Sequence, residues 1–82
     1  MIHSDTQLLE WLRAHTQRDR VIFNALCNLQ SVEVTHYAIQ PVRWAVDIVS
    51  RRGVKYRVVI VMHPVTGEPE RWYRVEGTNH AI

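Results

Sequence analysis

The residue types that most often carry catalysis or bind metal ions are few and scattered in this chain. Its five histidines lie at least 12 positions apart, so no two have the spacing with which one helix or strand presents a pair of metal ligands. Cys27 and His36 could approach each other in the fold, but nothing supplies an orienting third group or an oxyanion loop, and Glu68 and Glu70 fall in a predicted turn. Only three glycines are present, too few for a glycine-rich phosphate loop. We therefore expect no enzyme, no cofactor and no metal site.

The basic residues, in contrast, are concentrated in one stretch. Five of the ten Lys and Arg residues lie within positions 43–57, where Asp47 is the sole acidic residue. Nine of the ten are arginines, whose planar guanidinium groups fit phosphate and carboxylate partners. The cluster indicates an anionic partner, either nucleic acid or acidic protein. A solvated charged surface is the alternative interpretation.

Length and composition set the broad class. With 82 residues, of which 46% are hydrophobic, the chain is expected to form one small globular domain over residues 1–76, followed by a flexible tail at 77–82. A single cysteine excludes an intrachain disulfide and favours a cytoplasmic location. Residues 1–15 do not resemble a signal peptide, and the longest apolar run is too short to span a bilayer, so we expect no membrane association.

The first half of the chain is predicted to be helical. Ser4 and Gln7 have the spacing of a capping box, and the apolar residues after them follow a helical period, which predicts a helix over residues 5–15. Helical spacing resumes at Ile22 and continues to about Gln30, with a break near Thr16 that lets two helices fold onto one core. Cys27 would then be a small buried residue of the second helix.

The second half contains strand patterns. Alternation of apolar and polar residues predicts strands over residues 31–39 and 54–63, with the later part of the second strand buried on both faces. Residues 64–69 form a predicted turn in which Gly67 supplies a positive φ. A partner strand follows over residues 71–75.

Residues 41–52 fit two structures. As a helix, the stretch has Pro41 at its first position, an apolar face at i, i+3, i+4 and i+7, and Gly53 just past its end. As a strand, the stretch has β-branched and aromatic residues at alternate positions, Val42, Trp44, Val46 and Ile48, with Arg43, Ala45, Asp47 and Val49 between them. The positions of the proline and glycine favour the helix. The expected fold is therefore α+β, with two N-terminal helices, a winged-helix-like third helix and a C-terminal β-hairpin. The alternative is ααββββ with a four-stranded antiparallel meander.

Three short motifs carry a resemblance to a known family. They are RWAVDI at residues 43–48, RRG at 51–53 and RWYRV at 71–75. Together they resemble the winged helix-turn-helix modules of small bacterial and phage regulators. The resemblance covers about half of the chain and implies a transcriptional or phage-type regulator that binds double-stranded DNA.

In that family the third helix enters the major groove and reads bases from its first turns. The resemblance then implies that Gln40, Arg43 and Asp47 face the bases, and that Arg51, Arg52, Lys55 and Arg57 contact phosphates, with His63 and Thr66 on the wing. Alternatively, on a helix, Asp47 would form an ion pair with Arg43 or Arg51, each four residues away.

A second function class follows from the strand interpretation of residues 41–52. A four-stranded meander covered on one face by two helices would be a non-enzymatic protein-binding module, acting as an inhibitor or adaptor. Its Arg-rich surface would dock an acidic protein, and its edge strands would allow a homodimer. Trp44, Trp72 and Tyr73 would be the candidate interface anchors, because Trp, Tyr and Arg dominate interface energetics.

Overall fold

The computed structural model describes residues 4–37 and 42–75. Within these ranges two helices precede four strands, which form one antiparallel sheet in the order β1-β2-β3-β4. The elements are α1 (Asp5–His15), α2 (Arg20–Cys27), β1 (Leu29–Tyr37), β2 (Arg43–Ser50), β3 (Lys55–Met62) and β4 (Pro69–Val75). The fold is thus the α+β meander that the strand interpretation of residues 41–52 anticipated.

The first helix has the predicted bounds and the predicted cap. The Ser4 side-chain oxygen accepts a hydrogen bond from the Gln7 backbone N–H at 3.2 Å, and the Gln7 side chain accepts one from the Ser4 N–H at 2.9 Å. These two bonds satisfy donors that no helical carbonyl reaches. Thr16 ends the helix, which confirms the predicted break between α1 and α2.

The second helix is shorter than predicted. Asp19 caps its start by accepting from the Ile22 N–H at 3.2 Å, but the helix ends at Cys27 rather than near Gln30. Asn28 leaves the helical conformation, with φ −129° and ψ 62°, and the chain passes directly into β1. The prediction that Cys27 is buried is also wrong, because its side chain is exposed. Its helix buries the face formed by Ile22, Ala25 and Leu26.

The prediction of a third helix over residues 41–52 is wrong. Residues 43–50 form β2, and the parts of the chain that the structure describes contain no third helix, so the winged-helix arrangement does not fit. As a strand the stretch pairs on both sides, with Val46 opposite Val34 of β1 and opposite Val58 of β3. Two ladders of hydrogen bonds and a buried side chain on each face stabilise the strand more than one amphipathic helix face would.

Gly53 explains why the sequence pattern was ambiguous. Its φ of 82° suits a helix C-terminus, but here it closes the β2–β3 hairpin, with the Gly53 N–H donating to the Ser50 carbonyl at 2.8 Å. The glycine with positive φ that follows two arginines therefore lies in a turn between strands and not at the end of a helix. Pro41, the other residue that favoured the helix, lies outside the described residues.

Both helices pack on one face of the sheet. The core consists of residues that are at most 4% exposed, contributed by the helices and by alternate positions of the two central strands: Leu8, Leu12, Ile22, Ala25, Leu26, Val46, Ile48, Val58, Ile60 and Met62. Trp72 of β4 ties the layers together, because its indole N–H donates to the His15 carbonyl at the end of α1, at 2.9 Å.

The remaining strand predictions are confirmed with small shifts of their bounds. All residues from Val58 to Met62 are buried, as predicted for a strand covered on both faces. Gly67 has the predicted positive φ, 73°, in the β3–β4 turn. The predicted tail at residues 77–82, like Ala38 and Ile39 of the predicted first strand, lies outside the described residues.

Candidate functional site

The face of the sheet that points away from the helices carries most of the charged side chains of the strands and two of their tyrosines. We call it the helix-free face. It is organised in rows of cross-strand neighbours, and the register places Tyr37, Arg43, Val61 and Arg71 in one row, Thr35, Ala45, Val59 and Tyr73 in the next, and Glu33, Asp47, Arg57 and Val75 in the third. Ser31, Val49 and Lys55 form a shorter fourth row.

The centre of this face is aliphatic and its flanks are aromatic. Ala45, Val59 and Val61 are only 2%, 6% and 1% exposed although neither α1 nor α2 packs on them. Tyr37 on β1 and Tyr73 on β4 remain 41% and 39% exposed. Two half-exposed tyrosines on opposite edges of an aliphatic centre offer a partner both apolar contact and hydroxyl groups.

One ion pair lies on this face. Asp47 on β2 and Arg57 on β3 are cross-strand neighbours, and the guanidinium donates through Nε and Nη2 to the two carboxylate oxygens at 2.7 and 3.0 Å. The hydrogen bond that Arg57 donates to Asp47, together with the negative charge of Asp47, raises the pKa of Arg57. The stabilisation that accompanies this raised pKa is fully present below the ordinary pKa of the guanidinium and is lost only as the pH rises through the raised value, so Arg57 stays charged at neutral pH.

Because both carboxylate oxygens of Asp47 accept from Arg57, Asp47 is not available to bind a ligand. The Asp47 side chain is 9% exposed, whereas that of Arg57 is 39% exposed. Arg57, ten residues from Asp47 in the sequence, is not one of the two ion-pair partners expected on a helix. Those were Arg43 and Arg51, each four residues from Asp47. On a strand, residues four apart share a face but are separated by about 13 Å, too far for an ion pair.

Arg43 and Arg71 have no such partner. They lie in the same row, on β2 and β4, with Val61 of β3 between them, so their Cα atoms are about 10 Å apart. Within the described ranges neither forms an ion pair, and the buried Nε of Arg43 has no hydrogen-bond acceptor. A buried N–H without an acceptor costs free energy. Among the described residues, these are therefore the two arginines of the face without a carboxylate partner, and Lys55 also forms no ion pair there.

The face as a whole is positive. Its four cations, Arg43, Lys55, Arg57 and Arg71, face two carboxylates, Glu33 and Asp47. Since Asp47 is already paired with Arg57, the potential of the face is set by the other four groups.

Two of the predicted DNA-contacting arginines lie elsewhere. Arg51 and Arg52 occupy the tip of the β2–β3 hairpin and line a groove of about 510 Å³ between that hairpin and α2. Val21, Ala25, Val54 and Tyr56 give the groove apolar walls. Lys55 lies on the helix-free face just after the hairpin, and Gln40 lies outside the described residues.

His63 and Thr66, predicted for the wing, stabilise the β3–β4 turn. Nδ1 of His63 accepts from the N–H groups of Val65 and Thr66 at 3.1 and 3.2 Å, and the Thr66 hydroxyl accepts from the Glu68 N–H at 3.3 Å. These bonds satisfy backbone donors of the turn. The eight predicted residues that the structure describes therefore do not form one surface, and the arrangement of Arg43 and Asp47 on one recognition helix is wrong.

Tyr37 and Arg71 belong to this face but were not among the predicted site residues. The signal for Tyr37 was available, because Tyr37 lies with Glu33 and Thr35 on one side of a predicted strand. Tyr73, in contrast, was among the candidate anchors. The other two anchors, Trp44 and Trp72, are half-buried and pack against the core, and Trp44 stacks on His36 with ring centroids 4.3 Å apart.

Among residues 4–37 and 42–75, no three His, Cys, Asp or Glu side chains are grouped as metal ligands. Neither described helix is long and apolar enough to cross a membrane. Comparisons of the chain with protein families, with characterised proteins and with solved structures give no match.

Proposed function

We propose that this protein is a non-enzymatic binding module, an inhibitor or adaptor, that docks an acidic protein on the helix-free face of its sheet. The observation that carries the proposal is the row containing Tyr37, Arg43 and Arg71. It combines an exposed aromatic ring with two guanidinium groups that have no carboxylate partner among the described residues, beside a buried aliphatic centre.

The composition of the face suits a protein partner. Interfaces between proteins are enriched in Tyr and Arg, have an apolar centre and have a polar rim. Here Ala45, Val59 and Val61 are already buried beneath the face, so the exposed rings of Tyr37 and Tyr73 supply the apolar contact and the arginines supply the polar rim. Carboxylates of the partner would occupy the free donors of Arg43 and Arg71 as charge-assisted hydrogen bonds.

A nucleic acid suits the same face less well. Single-stranded nucleic acid is bound by aromatic side chains on which successive bases stack, within a groove of uniformly positive charge. On this face the aromatic residues are confined to the outer strands, and Glu33 adds a negative charge that would repel phosphates. The acidic protein is therefore the partner that we propose.

Photo-cross-linking from the β4 side of the face tests the proposal. We would replace Tyr73 with p-benzoylphenylalanine, irradiate cells that express the variant, and identify the cross-linked peptides by mass spectrometry. We expect a protein adduct whose cross-linked peptide is rich in Asp or Glu and which disappears when Arg43→Glu is added. Position 65 is the matched control, because Val65 is 85% exposed in the β3–β4 turn and outside the face.

Two outcomes would contradict the proposal. Adducts that nuclease treatment removes would identify a nucleic acid instead of a protein. Equal adducts from positions 73 and 65, unaffected by Arg43→Glu, would indicate non-specific collisions.

A further inference from the structure

The two edge strands of the sheet are unequally protected against pairing with another strand. β4 begins with Pro69 and carries Glu70, Arg71 and Arg74, and proline and charged side chains are common means of blocking edge-to-edge association. β1 has nine residues, no proline or lysine, and Glu33 as its single carboxylate. The unpaired N–H and C=O groups of β1 are thus the accessible ones.

The helix-facing side of β1 is also incompletely covered. Val46 and Ile48 on the neighbouring β2 are fully buried, whereas Val32 and Val34, their partners on β1, are only partly buried. The helix layer is joined to β4 by the bond from Trp72 to His15 and by the contact of Arg74 with Asp19 at 3.7 Å. Within the described chain no hydrogen bond or ion pair joins either helix to β1.

We propose that β1 pairs with β1 of a second copy of this chain, giving a two-fold symmetric dimer with one continuous eight-stranded sheet. A second copy fits because its own β1 presents free backbone groups that can pair with this edge. It also presents an apolar strip that can cover the half-buried valines. Small domains bury a low fraction of their surface, so a second copy adds core that one copy cannot form.

The register follows from the regular part of the strand. An irregularity between Leu29 and Ser31 leaves residues 31–37 paired one-to-one with β2. Two copies of this segment overlap fully when the two-fold axis passes Val34, the middle residue. Glu33 then lies opposite Thr35 rather than opposite the second Glu33, which avoids two like charges face to face.

The two-fold symmetry determines on which side of the joined sheet the helices and the helix-free faces of the two copies lie. Antiparallel pairing within one sheet requires an axis perpendicular to the sheet, so the helices of both copies lie on the same side. Val32 and Val34 of the two copies then lie next to each other on the helix side of the sheet. On the other side, the two helix-free faces form one continuous surface. This inference does not depend on what that surface binds.

The oligomeric state of the purified chain is the first test. Light scattering coupled to size exclusion should give twice the monomer mass of 9.7 kDa and a dissociation that depends on concentration. Val34→Lys should give a monomer, because it places an ammonium group at the axis. Val65→Lys adds the same charge in an exposed turn and should leave the dimer intact. A monomeric wild type, or a dimeric Val34→Lys variant, would overturn the inference.

Cysteine cross-linking tests the register without relying on a disruptive substitution. In a Cys27→Ser background, Val34→Cys places two thiols opposite each other with Cβ atoms about 5 Å apart, within disulfide reach after small adjustment. Val32→Cys, on the same side of the same strand, separates them by about 13 Å along the strand. We expect rapid disulfide formation for Val34→Cys alone. Equal cross-linking of both variants, or of neither, would overturn the proposed pairing.

Discussion

The Asp47–Arg57 pair predicts an asymmetric response to the loss of each partner. Arg57→Met keeps the aliphatic stem of the side chain and removes the two hydrogen bonds to a carboxylate that is 9% exposed. Breaking a fully buried pair in this way costs about 3–5 kcal/mol. Because the Arg57 side chain is 39% exposed, water screens part of the charge, and we expect a loss of about 2 kcal/mol in the free energy of unfolding.

The reverse substitution should be milder. Asp47→Val leaves a guanidinium that already reaches solvent and places a β-branched residue in the row next to Ala45 and Val59, so we expect a loss of about 0.5 kcal/mol or less. The double variant replaces the pair with apolar groups, which is often close to neutral, and should lose less stability than Arg57→Met alone. Lys55→Met, on the same face of the same strand, is the control and should change stability by about 0.5 kcal/mol at most.

Thermal and urea unfolding of the four variants measure these differences. For a domain of this size, 2 kcal/mol corresponds to a decrease of about 10 °C in Tm. A loss for Asp47→Val equal to or larger than that for Arg57→Met would refute the reasoning, because the buried member of the pair would then not be the one that requires its partner.

Two further substitutions probe the turns that set the topology. Thr16→Val keeps the volume of a fully buried side chain but removes the hydroxyl that donates to the Leu12 carbonyl at 2.7 Å. It should lower the free energy of unfolding, measured by chemical denaturation, by about 1 kcal/mol. An unchanged free energy of unfolding would contradict a role for this bond. Gly53→Ala should cost about 1–2 kcal/mol through its φ of 82° alone, because no heavy atom lies within 4 Å of the added methyl group; a variant as stable as wild type would contradict the hairpin geometry.

Local signals were enough to predict the elements that local interactions determine. The capping box of α1 involves residues three positions apart, and the β3–β4 turn depends on Gly67, so both were legible in the sequence. β3 was legible because five consecutive apolar residues need cover on both faces. These predictions needed no knowledge of distant partners.

Residues 41–52 could not be assigned in the same way, since their conformation is decided by distant pairing. Val46 is apolar at both helical and strand spacing, and only its neighbours Val34 and Val58 distinguish the two. The grouping of the site residues likewise depends on pairing between distant strands. Charge alone selected Arg43, Lys55 and Arg57, but the strand register is what places Arg71 in the row of Arg43 and gives Asp47 to Arg57. Sequence reasoning therefore found three of the four cations of this face and misjudged the surface that they share.

Two double charge reversals with the same formal charge test the docking face most directly. Arg43→Glu with Arg71→Glu alters the row on the helix-free face, and Arg51→Glu with Arg52→Glu alters the hairpin tip; each lowers the net charge by four units, from +2 to −2. The measurement is the yield of the protein adduct formed from position 73 with p-benzoylphenylalanine. We predict that the first pair abolishes the adduct and that the second pair leaves it. Equal losses from both pairs would show that overall charge, and not this face, determines binding.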